Sequence, residues 1–140
     1  MSKEIGKKKI VSFTDLLVWQ KSHALVVALY EVTKTFPSEE VYGLTSQMRR
    51  AAISVTSNIS EGFGRHTDKE RTHFYYLSHG SLVELKNQLL IARDVGYLSE
   101  ETFADLAEQA NVVHALLRGL ITKTKKRSTG RMAKPIPHTS

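Results

Sequence analysis

Apolar residues recur along this chain at three- and four-residue intervals in four stretches, and turn-forming residues separate them. That spacing predicts amphipathic helices. The first helix is expected from Phe13–Thr14 to Thr35, stopped by Pro37, with Thr14 or Asp15 as its N-cap. Leu16, Leu17, Ala24, Val27, Ala28 and Tyr30 make a stripe on it, yet Val18, Trp19, Leu25, Val26 and Leu29 spread over its other faces. More of its circumference is apolar than one core needs. The second helix runs from about Leu44 to Gly62 or Phe63, with Gly62 and Gly64 as natural stops. The third opens on a capping box, Thr67 with Glu70, and Asp68 also lies in its first turn. It carries Phe74, Leu77, Ser78, Ser81, Leu82, Leu85, Leu89 and Ala92 at helical spacing and ends at Gly96. Gly80 in its middle costs about 1 kcal/mol of helix propensity, so Gly80–Ser81 reads as room for a neighbouring helix. The fourth begins at Ser99 and carries Phe103, Leu106, Ala110, Val113, Leu117 and Leu120.

No strand alternation appears, and the connections are short. Short loops between long helices predict an all-α, antiparallel up-down-up-down four-helix bundle, here over residues 13–124. Residues 1–12 read as a basic N-terminal arm. Residues 125–140, polar and punctuated by Pro and Gly, read as a basic disordered tail. The absence of cysteine excludes disulfides, thiolate zinc sites and cysteine nucleophiles. The longest apolar run, Ala24–Tyr30, is far too short for a bilayer, and the N-terminus lacks an apolar signal-peptide core. A cytoplasmic protein without membrane contact is expected.

Charge changes this picture by its distribution. Residues 1–12 carry net +3 and residues 123–140 net +6, leaving the body at −3 within the total of +6. Cationic ends suit an anionic polymer, or serve solubility alone.

The second helix holds the least ordinary stretch, "QMRRAAISVTSNISEGFGR". At about 100° per residue, Gln47, Arg50, Ser54, Asn58, Glu61 and Arg65 fall within roughly 80° of one another. They lie beside the apolar stripe of Leu44, Met48, Ala51, Val55, Ile59 and Gly62, on its shoulder, where helices meet within a bundle or between subunits. Glu61 and Arg65 form a favourable i,i+4 pair. Partly buried, such a row must satisfy itself and would fix register; otherwise it is a solvated polar face. Arg49, Ile53, Ser57 and Ser60 lie opposite the core stripe.

Catalytic chemistry finds little support. Glu70–His73 is one Glu-x-x-His motif, whereas a di-iron bundle needs two and further carboxylates. "GFGR" ends a helix where a phosphate loop would open one. Ser54, Ser57 and Ser60 have no histidine partner nearby in sequence and no glycine elbow. His23 is expected in or beside the first helix's core stripe. No enzyme, cofactor, metal or small-molecule substrate is expected.

The segments "DLLVWQKSHALVVALY", "FPSEEVYGLTSQMRRAAISVTSNISEGFGR", "HFYYLSHGSLVEL" and "ARDVGYLS" closely resemble the 23S rRNA intervening-sequence proteins, also called the S23 ribosomal protein family. The resemblance spans about residues 13–120 and centres on Q-x-R-R-A-A-x-S-x-x-x-N-I-x-E-G-x-G-R. It implies an antiparallel four-helix bundle assembled as a homopentameric ring. It also implies likeness in shape to a retroelement accessory protein that binds nucleic acid and a reverse transcriptase.

The expected function is therefore non-enzymatic RNA binding by an oligomer, with a protein-docking scaffold as the alternative. The RNA footprint is expected on Arg49, Arg50, Arg65, Lys69 and Arg71, with Lys123, Lys125, Lys126 and Arg127 at the root of the tail. Arg49 and Arg50 serve equally well as seam salt-bridging groups. Trp19, Val26 and Tyr30 are the expected subunit interface.

Overall fold

A computed structural model describes residues 9–133. Among them the regular structure is entirely helical: a 3-10 turn at Phe13–Asp15, α1 at Leu17–Thr33, a second 3-10 turn at Ser38–Glu40, α2 at Leu44–Phe63, α3 at Asp68–Asp94 and α4 at Glu100–Ala133. Residues 1–8 of the expected arm and 134–140 of the expected tail lie outside the described residues.

Caps explain most boundaries. Ser12 and Asp15 form a capping box around the first turn, so the N-cap role expected of Thr14 or Asp15 falls to Ser12. Extended backbone at Leu16 then separates that turn from α1. Thr67 Oγ1 accepts from the Glu70 amide at 3.1 Å and starts α3. Gly96, at φ 88°, follows its end in a conformation that glycine adopts without strain. Ser99 Oγ accepts from the Thr102 amide at 3.1 Å and opens α4.

α1 packs against α2 and α4, α3 packs against α2 and α4, and the diagonal pairs stay apart. One core fills the centre: Leu25 and Leu29 of α1, Met48, Val55 and Ile59 of α2, Leu82, Leu85 and Leu89 of α3, and Leu106, Val113 and Leu117 of α4. Three contacts set the α2–α3 register. Ser54 meets Ser81, Val55 meets Ser78, and Gly62 meets Tyr75, so numbers rise along one helix as they fall along the other.

Three expectations are corrected. The buried face of α1 is Val18, Ser22, Leu25, Leu29 and Thr33, while Leu17, Ala24 and Val27 are exposed. Ser22 and Thr33 hide this stripe from a hydrophobicity count, because each satisfies its hydroxyl on α1's own backbone. Leu77 is 45% exposed, and the α3 core begins instead with Tyr75 and Ser78. Finally, the helix does not give way to a tail at residue 125. α4 continues to Ala133 because Ile121 and Thr124 are buried and Arg127 pairs with the start of α3.

Candidate nucleic-acid interface

The polar row on α2 lies along the α2–α3 seam of the single chain. Ser81 Oγ donates to Ser54 Oγ at 2.8 Å across that seam, and Asn58 Nδ2 donates to the Ser54 carbonyl and hydroxyl at 2.9 and 3.0 Å. Gln47 and Arg50 are exposed and share a recess with Ser54, Ser81 and Glu84. At the other end Arg65 pairs with Glu61 and lies over the Phe74 ring, 4.5 Å from its centroid. Within the row, Ser54 and Arg65 reach α3, Asn58 and Glu61 bond to members of the row itself, and Gln47 and Arg50 remain exposed.

Several arginines expected to face RNA are engaged inside the molecule. Arg49 is not on a free outer face. Its Nε donates to Thr33 Oγ1 at 2.9 Å, and its guanidinium covers Tyr30 at 4.4 Å, tying α2 to the end of α1. Arg71 and Arg127 both pair with Asp68, whose carboxylate is only 1% exposed. Hydrogen bonding to Asp68 raises the Arg127 pKa further above its ordinary value. A carboxylate so buried needs such partners. Lys125 donates to Tyr76 Oη at 3.1 Å.

The remaining expected cations, Arg50, Lys69, Lys123 and Lys126, are exposed and form no ion pair among the described residues. Lys123 and Lys126 line a shallow recess with Ala115, Arg118, Gly119, Thr122 and Arg127, all on α4. Arg118 escaped the sequence reading. Its i,i+4 spacing to Thr122 and Lys126, away from the apolar stripe, was the available signal. Arg118, Lys123 and Lys126 make a cationic outer face that forms no ion pair among the described residues, beside Arg127, which pairs with Asp68.

The expected interface residues are only partly free. Trp19 packs edge-on to Phe13 and stacks on His23, and both Trp19 and Val26 lean on their own core. His23 itself is exposed, outside the core stripe. Tyr30 is 36% exposed beneath Arg49. A larger apolar surface lies on α3, where Tyr76, Leu77, Val83, Leu90 and Ile91 are exposed around Gly80, and nothing stands within 4 Å of a Cβ built there.

Among the described residues no three metal-ligating side chains gather, and no helix is long and apolar enough to cross a membrane. The fold and surface together define a class: among the described residues, a four-helix, all-α protein with exposed cations gathered on the outer side of α4. The chain belongs to the 23S rRNA-intervening sequence protein family, whose sequence profile matches residues 14–119. Its fold is similar to the crystal structure of a protein of unknown function from the S23 ribosomal protein family of Bacteroides thetaiotaomicron. The TM-score is 0.70 at 16% identity, over 76% of this chain and 96% of that one. Among curated proteins none matches.

Proposed function

We propose that this protein is a non-enzymatic, cytoplasmic RNA-binding oligomer built from antiparallel up-down-up-down bundles. The observation that carries the RNA reading is the outer face of α4, where Arg118, Lys123 and Lys126 are exposed and form no ion pair among the described residues. Lysine and arginine in such an array hold phosphates regardless of sequence, and the affinity falls with salt. Repetition of the face around a homopentameric ring multiplies weak contacts through effective concentration. The exposed apolar face of α3 supports assembly, and the α2–α3 contact register supports the antiparallel topology.

The test is titration of a structured RNA at several salt concentrations, read by fluorescence anisotropy. Submicromolar, salt-sensitive binding is expected, with a shallower salt slope when Arg118, Lys123 and Lys126 are changed together to Gln. No binding at low salt overturns the reading. Sedimentation that finds a stable monomer at micromolar concentration overturns the assembly.

The α3 face also favours a second reading, a scaffold that docks a protein such as a reverse transcriptase. A specific protein retained after nuclease treatment, and released by Val83→Glu, would favour it over RNA binding.

A further inference from the structure

Where α3 meets α4, three nitrogen side chains form a line. Lys86 Nζ lies 2.6 Å from His114 Nδ1, and His114 Nε2 lies 3.2 Å from His79 Nε2. The rings meet edge to face, with centroids 4.9 Å apart, and all three side chains are half-buried. An ammonium group only donates, so His114 Nδ1 accepts and the His114 proton resides on Nε2. That proton is donated to His79 Nε2. The line therefore requires both imidazoles to be neutral. The groups acting most strongly on His114 are Lys86 and His79 from α3 and Arg118, one turn further along α4; none is a carboxylate. Burial and these neighbours hold His114 below the ordinary histidine range, and burial also lowers Lys86.

Such a line is poorly suited to a metal cation. The tautomer that frees His114 Nε2 for a metal would turn Nδ1–H against Lys86, where a ligating histidine ordinarily meets an acceptor. It suits an anion. An oxyanion that draws the Lys86 ammonium off His114 Nδ1 frees that nitrogen to take a proton and donate to the anion as well, with the charge of Arg118 one turn along α4 adding to the attraction.

We propose that Lys86, His79, His114 and Arg118 form a proton-coupled phosphate site, at which a nucleic-acid backbone phosphate binds together with one proton. The proposal rests on the RNA-binding reading and continues it, since Arg118 belongs both to this site and to the cationic face of α4. The sign follows from linkage. The empty site favours neutral imidazole and the occupied site favours imidazolium, so affinity rises as pH falls through the histidine range. The limit is about tenfold per pH unit for one linked proton.

The experiment measures RNA affinity of the full chain from pH 8 to pH 5.5 at constant ionic strength. Wild type is compared with His114→Gln, His79→Gln and the exposed control His73→Gln, each checked for helicity. A parallel titration with inorganic phosphate follows the imidazole nitrogens by NMR. The expected result is tightening in acid that His114→Gln and His79→Gln abolish and His73→Gln retains, with phosphate raising the His114 pKa. RNA binding with a flat pH profile, or with a slope unchanged in both seam variants, overturns the proposal and leaves the RNA reading intact. If no RNA binds, that reading falls and the phosphate titration decides: a raised His114 pKa supports the anion site, and an unmoved one overturns it.

Discussion

The α2–α3 seam and the outer face of α4 are both rich in polar groups, and they use them in opposite ways. At the seam several polar groups find a neighbour: Ser81 on Ser54, Ser78 on the Val55 carbonyl, Arg65 on Glu61 and Phe74, while Arg65 Nε has no hydrogen-bond partner among the described residues. At the foot of α3, Asp68 takes two arginines at once. On α4, Arg118, Lys123 and Lys126 are exposed and form no ion pair among the described residues. Charge held by the fold fixes register and offers little to a ligand. Charge the fold leaves alone stays available to one, so the number of cations in a sequence is a poor guide to its binding face.

Asp68→Ala attacks the engaged side hardest. It removes the shared carboxylate of Arg71 and Arg127 and unpins α4 beyond Thr124 from the start of α3. Breaking a buried pair costs about 3–5 kcal/mol. Both arginines can turn to solvent here, so a loss near the lower bound, about 3 kcal/mol, is expected in urea unfolding. A loss below about 1 kcal/mol would place this ion pair with ordinary surface pairs and weaken the contrast.

A pair of glycines sharpens it. A Cβ at Gly62 would lie 2.7 Å from Tyr75 Cε1 and 3.0 Å from Phe74 Cβ, whereas at Gly119 it would meet nothing within 4 Å. Gly62→Ala is expected to destabilise by about 1–3 kcal/mol through overpacking. Gly119→Ala is expected to stabilise by up to about 1 kcal/mol through helix propensity. Thermal melts of the two variants should therefore move in opposite directions.

The sequence made some of this plain and concealed the rest for physical reasons. The α2 stripe was legible because Met48, Ala51, Val55 and Ile59 stand against polar neighbours with one clear phase. The phase of α1 was not, because apolar residues surround it and its buried face includes Ser22 and Thr33. The end of α4 was hidden because its anchors are Thr124, which looks polar, and Arg127, whose partner is 59 residues away. The candidate site suffered in the same way. Whether Arg49 faces RNA or a seam depends on Thr33 and Tyr30, and nothing local to Arg49 announces them. The Lys86–His114–His79 line joins two helices and has no sequence motif.

The next test exchanges one cation from each region. Arg49→Gln should lower stability by about 1 kcal/mol, the worth of its hydrogen bond and its stacking on Tyr30, and leave RNA affinity unchanged. Lys126→Gln should leave unfolding within about 0.5 kcal/mol of wild type and reduce the RNA salt slope by about one contact. The reverse outcome, with Arg49 governing affinity and Lys126 governing stability, would invert the assignment of the two faces.

The smallest expected effect concerns acid. His114 in the folded chain lies below its ordinary value of 6.5, held there by burial and then by Lys86, His79 and Arg118. Below that value the unfolded chain carries the extra proton, so this contribution to stability is complete above about pH 6.5 and is lost as pH falls through the folded value. Glu40 acts later with the same sign. Its carboxylate accepts from the Leu44 amide at 3.0 Å and from Tyr97 Oη at 2.8 Å, which lowers its pKa from 4.5 and gives stability that disappears only in stronger acid. Urea midpoints of wild type and His114→Gln at pH 7.5, 6 and 5, without RNA, separate the two groups. The wild-type midpoint should fall more than the variant's across the histidine range, and the curves should run parallel below it. Equal slopes throughout would mean that the α3–α4 seam tolerates charged imidazole as readily as water does, and that this seam belongs with the open side of the molecule.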